Sequence, residues 1–235
     1  MRVDQTPERE IAVPPAEDPA GGAAPRRRGR PGNDLESVLE AAVEVFNERG
    51  YDGASMEDLS KRLGIAKSAI YHHVSGKEEL LRMALDRALD GWSEAASRAA
   101  GAEAPAIVRL EMLVRGTVAV LESRLPYVTL LLRVRGNTEI ERAALERRRY
   151  FDRLVASLVA EAERDGDVRA DVDPKVTARL LSGLINSVTE WYRPGRGPGA
   201  SDGSSGSGGS SGSGGRLSVA DAVCAVAFDG LRVRR

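Results

Sequence analysis

From Ser55 to Leu80 the chain reads SMEDLSKRLGIAKSAIYHHVSGKEEL, and the side chains best placed for chemistry outside a core are gathered there. Ser55, with Asp58 three residues on, predicts a helix start through an approximate capping box. Met56, Leu59 and Leu63 give that helix its apolar side, and Gly64 stops it. Ile65 bridges to a further short helix predicted from Lys67 to Val74, and Ser75-Gly76 breaks the chain again. Two short helices joined by a glycine-containing turn predict a helix-turn-helix, whose second member fits the DNA major groove. Lys67, Ser68 and Ala69 then stand at its leading end, within reach of base edges. Lysine suits the acceptors of guanine, whereas alanine offers only apolar contact to a thymine methyl. Ser55 and Lys77 both open helices, where free backbone N–H groups and the helix dipole favour a phosphate.

Other chemistries find little support. His72 and His73 are the only histidines, and neighbours on a helix point about 100° apart, which argues against a shared metal site. There is no phosphate-binding glycine loop with its lysine, no nucleophile elbow and no metal-ligand cluster, so neither catalysis nor a cofactor is expected. The single cysteine, Cys224, lies on an apolar helical pattern and reads as a small core residue; it also excludes an internal disulfide framework.

Upstream, four arginines crowd into residues 26–30. Arg28-Gly29-Arg30-Pro31 resembles the core of an AT-hook, in which arginines lie along a narrow A·T minor groove. The plainer alternative is a basic tail that adds affinity by counterion release. The helix that follows carries Glu36, Glu40, Glu44 and Glu48, four residues apart, predicting a solvated acidic stripe turned away from phosphate.

The elements that must position these residues are helical. Leu35, Leu39, Ala42, Val43 and Phe46 recur at helical spacing from about Asp34 to Arg49, with Gly50 as the stop. A long helix is predicted from Lys77 to near Ser97, and helical periods continue over Ile107–Leu121, Pro126–Leu132 and Phe151–Ala162. Asp173-Pro174 opens a helix running to Arg193, and Ser218 caps a last one through Leu231. No alternating strand pattern appears, so the expected class is all-α. Residues 1–32 read as a disordered N-terminal arm, 33–79 as the helix-turn-helix unit and 80–235 as a second helical domain. Within the latter, 195–216 is dominated by glycine and serine and reads as a flexible connector. With 42% hydrophobic and 29% charged residues the chain is of soluble globular composition, and no apolar run approaches the ~18 residues of a membrane span. No hydrophobic secretory core opens the chain, so the cytoplasm is the expected compartment.

Helix one ending at Phe46-x-x-x-Gly50-Tyr51, the Ser55 cap, Leu63-Gly64-Ile65, Ile70-Tyr71-His72-His73-Val74 and Lys77-Glu78-Glu79-Leu80 together resemble the TetR family of bacterial regulators over about 45 residues. Ala66 departs from the family, which often places serine or threonine at that cap. The resemblance implies that Tyr71 and His72 contact phosphate and that the chain works on the bacterial nucleoid. It also implies that the last two long helices dimerise, that the C-terminal domain encloses an effector, and that effector binding releases a repressor from a palindromic operator. The run from Leu184 to Pro194 and the later Gly215-Arg216-Leu217-Ser218 resemble a TetR subgroup that senses acyl-CoA thioesters in sterol-ring, fatty-acid and phenylacetate catabolism. Such a ligand needs cations for its phosphates and an apolar slot. Arg133, Arg135, Arg147, Arg148, Arg149 and Arg193 are candidate donors, Leu130–Leu132 and Trp191 candidate walls, and Asn186 lies in the same run. Two alternatives stay open: a drug-responsive efflux repressor, disfavoured by only three Phe, five Tyr and two Trp, and an architectural DNA-binding protein with no effector.

Overall fold

A computed structural model describes residues 34–193 and 218–231. The basic arm with Arg28 and Arg30 and the 195–216 segment lie outside the described residues. Among those described there are nine helices and no strand: α1 (Leu35–Arg49), α2 (Met56–Leu63), α3 (Lys67–Tyr71), α4 (Lys77–Ala100), α5 (Ala106–Ser123), α6 (Leu125–Arg133), α7 (Glu139–Arg164), α8 (Pro174–Trp191) and α9 (Val219–Leu231). The all-α expectation holds.

Each boundary follows from local chemistry. Asp34 caps α1 by accepting from the Ser37 N–H at 2.8 Å, and Gly50 ends it at φ 75°. The Ser55–Asp58 capping box opens α2, and Gly64 closes it in the left-handed region at φ 66°. Ala66 gives α3 no side-chain cap. That helix stops at Tyr71, short of the expected Val74, because the His73 and Val74 N–H groups both converge on the Ile70 carbonyl while Val74 turns into the core. Thr138 caps α7, Asp173 caps α8 and Ser218 accepts from the Asp221 N–H at 3.0 Å at the start of α9.

One apolar cluster runs unbroken from α1 to α9. Helix α4 lies at its centre, flanked by α5 and α7, while α8 packs on α7 and α9 on α5. The α4–α5 contact is close enough to require glycine at two places: a Cβ on Gly91 would lie 2.8 Å from Val120 Cγ1, and one on Gly116 would lie 2.9 Å from Ala95 Cβ. Trp92 of α4 stacks on Phe151 of α7 with centroids 5.3 Å apart. Helix α6 sits between α1, α4 and α8 and so joins the first three helices to the rest.

The acidic stripe of α1 is more than a solvated face. Glu36 forms a two-pronged ion pair with Arg87 of α4, and Glu44 and Glu48 both hold Arg62 of α2. Side chains four residues apart face one way, and here that way leads to two neighbouring arginines. No described helix is long and apolar enough to cross a membrane.

Candidate nucleic-acid interface and effector cavity

Helix α3 is pinned from beneath by Ile70, which is fully buried, and presents the rest of its short length outward. Lys67, Ser68, Tyr71 and His72 are exposed and Ala69 is half-buried, so the residues at the leading end of this helix form one accessible surface. Lys67 Nζ lies 3.1 Å from Glu57 Oε2, and the same carboxylate takes Lys61 at 3.0 Å. Those two lysines hold the Glu57 carboxyl below its ordinary range. Ser55 is engaged in its own cap: its backbone N–H and its hydroxyl both donate to Asp58 Oδ2, at 3.0 and 2.6 Å. Lys77 opens α4 as expected, but its ammonium turns inward. It donates to the Tyr51 and Ala54 carbonyls at 2.9 and 3.0 Å and lies 4.3 Å from the Tyr51 ring centroid. The side chain therefore closes the loop between α1 and α2, and only the start of α4 stays at the surface.

Away from α3, a cavity of about 550 Å³ opens between α6 and α8, with Arg148 of α7 in its wall. Arg133, Asn186 and Arg193 all line it, beside Thr129 and Glu190. Three of the four residues singled out for effector contact are thus brought together. Trp191 is not. Five residues beyond Asn186 on a helix is about 140° further round, and Trp191 instead shares an outer face of α8 with Val176 and Leu180, at 51%, 46% and 65% exposure. Of the expected apolar walls only Leu132 reaches the cavity; Leu130 and Leu131 are core residues. Arg147 is also elsewhere, paired with Asp86 and Asp90 of α4 at 2.8 and 2.6 Å.

A second cavity of about 620 Å³ follows the groove between α7 and α8 and shares Arg148, Gly183 and Asn186 with the first. Arg153, Lys175 and Arg179 belong to it. Sequence reasoning passed over these three, although Arg149/Arg153 and Lys175/Arg179 are each spaced for one helix face. A third pocket, about 180 Å³, lies between α4 and α7 against Leu89, Trp92, Phe151 and Leu154 and shares no lining residue with the other two.

Comparison with known proteins places this geometry. Residues 38–84 match the family described as bacterial regulatory proteins, tetR family, and residues 103–200 match the tetracyclin repressor-like C-terminal domain. The solved structure of SCO3833, a member of the TetR transcriptional regulator family from Streptomyces coelicolor A3, is 51% identical; the match covers 85% of this chain and 92% of that one, with a TM-score of 0.69. The HTH-type transcriptional repressor KstR2 of Rhodococcus jostii is 28% identical over 197 residues, 79% of this chain and 88% of its own. AibR, solved in complex with isovaleryl coenzyme A and operator DNA, shares the fold at 22% identity and a TM-score of 0.62, over 82% of this chain and 97% of its own. The exposed recognition helix on a capped, glycine-turned scaffold and the helical body behind it have one reading: the chain belongs to the TetR family of DNA-binding transcriptional regulators.

Proposed function

We propose that this regulator is a homodimeric repressor that holds a palindromic operator and is released from it by an acyl-CoA thioester. Residues 33–79 form the DNA-reading unit and 80–235 the effector and dimer unit. Lys67, Ser68 and Ala69 read base edges, Tyr71 and His72 hold phosphate, and the starts of α2 at Ser55 and α4 at Lys77 add backbone N–H donors. The basic arm with Arg28 and Arg30 strengthens binding through the adjacent minor groove or by counterion release.

The observation that carries the effector reading is the cavity where Arg133, Arg148 and Arg193 converge with Asn186. Three guanidiniums around one space are suited to a multiply charged anion. KstR2, whose name marks a repressor, and AibR, solved with isovaleryl coenzyme A, support the same class. The exposed Val176, Leu180 and Trp191 on α8, with Val226 on α9, supply an apolar face for a two-fold partner. That symmetry sets two recognition helices about one DNA turn apart. The chain acts in the cytoplasm, on the nucleoid, and performs no catalysis.

The test is capture of genomic fragments by the purified protein at physiological salt, followed by sequencing. A few palindromic sites beside genes of acyl-CoA catabolism, released by the corresponding thioester, are expected. Retention of fragments with no shared motif would point to an architectural protein and end the repressor reading.

A further inference from the structure

The groove between α7 and α8 gathers several cations around one carboxylate. Several arginines elsewhere face carboxylates: Arg62 meets Glu44 and Glu48, Arg87 meets Glu36, and Arg109 meets Glu161. In the groove Arg149 has Glu146 of its own helix, while Arg148, Lys175 and Arg179 form no ion pair among the described residues. The one carboxylate in its wall, Asp152, accepts from Ser182 at 3.4 Å. Lys175 and Arg179 stand one turn apart on α8, as Arg149 and Arg153 do on α7, and like charges at that spacing repel. A pair of helices tuned only for stability would place acids among them. Arg148 adds a half-buried guanidinium at the point where the groove meets the Arg133–Arg193 cavity. At that junction stands Gly183, which lines both spaces and where a Cβ would meet nothing within 4 Å.

We infer that the α7–α8 groove holds the polyphosphate portion of an organic ligand, clasped by Arg148, Arg153, Lys175 and Arg179. A multiply charged phosphate converts mutual repulsion of the cations into attraction, and guanidiniums match phosphate oxygens two at a time. The inference rests on the effector reading: Arg133 and Arg193 of the adjoining cavity would face the remaining charge of the same ligand, with Arg148 shared between the two spaces. The phosphates have two sources, coenzyme A or a free nucleoside triphosphate.

Calorimetric titration of the full-length protein with coenzyme A and, separately, with ATP tests this. Coenzyme A is expected to bind, and the double variant Arg148→Ala/Arg179→Ala to weaken it at least about tenfold while binding a captured genomic fragment as before. Gly183→Leu, whose Cβ would meet no neighbour within 4 Å, is expected to weaken it as well by filling the junction. Equal binding of ATP, lost in the double variant, would support the groove and name a nucleotide as its ligand. If acyl-CoA thioesters then bind without releasing DNA, the effector reading fails and the groove stands. Unchanged coenzyme A affinity in the double variant overturns the groove, even where thioesters still release DNA. A double variant that sediments as a monomer also overturns it, assigning these cations to a subunit interface.

Discussion

The guanidinium of Arg133, in the wall of the α6–α8 cavity, donates to the backbone carbonyl of Asn47 in α1 at 2.5 Å. Asn47 answers through its side-chain amide, which donates to the Pro126 carbonyl at 2.9 Å, so the last turn of α1 is fastened to both ends of α6. Carbonyls in a helix's last turn have no partner within the helix, and a charged donor is a strong substitute. An anion bound in the cavity, as proposed, would compete with Asn47 for the same guanidinium.

It follows that Arg133→Ala should leave operator affinity nearly intact and blunt the response to effector. Couplings between sites of this kind amount to 5–150-fold in affinity, roughly, so the effector concentration that half-releases DNA should rise about tenfold or more. Fluorescence anisotropy of a labelled operator, titrated with thioester, reads both quantities. An unchanged half-release point would remove Arg133 from the coupling.

Lys67 and Glu57 set a second expectation. Glu57 sits between Lys61 and Lys67 and neutralises the lysine that leads the recognition helix. Glu57→Gln frees that lysine and removes a negative charge beside the proposed DNA-reading surface, so affinity should rise for all sequences and depend more steeply on salt. Lys67→Ala should weaken binding and shift base preference, whereas Tyr71→Ala should weaken all sequences alike. Competition between operator and unrelated fragments at two salt concentrations separates these cases; a Lys67→Ala protein with unaltered preference would exclude it from base reading.

Lys77 behaves differently from what its position at a helix start suggests. Because its ammonium caps the Tyr51 and Ala54 carbonyls, Lys77→Ala should cost on the order of 1–3 kcal/mol of stability. A lowered Tm with operator affinity retained below that Tm is the expected pair of results. Lost affinity at unchanged Tm would return the side chain to the DNA.

How far the chain could be read in advance differs between these sites. Capping signals are local: Ser55 with Asp58, Gly64, Asp173-Pro174 and Ser218 each mark a boundary, because the groups involved lie within a few residues. The gathering of Arg133, Asn186 and Arg193 was accessible through family resemblance, while Trp191 fell away on helical phase alone. What could not be read were side-chain partners distant in sequence. Nothing near Lys77 says that its ammonium turns to residues 51 and 54, and nothing near Glu36 names Arg87. Such pairings depend on how helices cross. The cationic groove has the same origin, since Arg148 and Arg179 lie 31 residues apart in number and meet only because α8 packs on α7.

Helix crossing itself gives a stability prediction. Gly116 leaves room for Ala95, and an added Cβ would lie 2.9 Å from that methyl. Gly116→Val forces α4 and α5 apart and should cost about 1–3 kcal/mol or more. Gly183 has open space where its Cβ would be, so Gly183→Ala should gain up to about 1 kcal/mol from helix propensity alone. Thermal denaturation of both variants gives opposite shifts if the α4–α5 contact is as close as described, and equal shifts if it is not.

Cys224 sets the last expectation. It is 3% exposed on α9, and burial pushes its thiol up to about 11, with nearby Arg115 pulling the other way. An unfolded chain releases that proton near 8.5, roughly. The folded state therefore holds the proton that the unfolded state gives up, and its contribution to stability is complete below the unfolded value and is lost as pH rises toward 11. Tyr51 and Tyr127, both raised by burial, lose stability on the same alkaline side. Subtraction isolates the thiol: Cys224→Ala should show a shallower fall in Tm between pH 8 and 10.5, roughly, than the parent chain. Alkylation offers an independent check, because a buried neutral thiol should react with iodoacetamide at pH 8 at least about tenfold more slowly than the denatured chain. Equal rates in the two states would mean that α9 opens readily and that Cys224 is not held in the core.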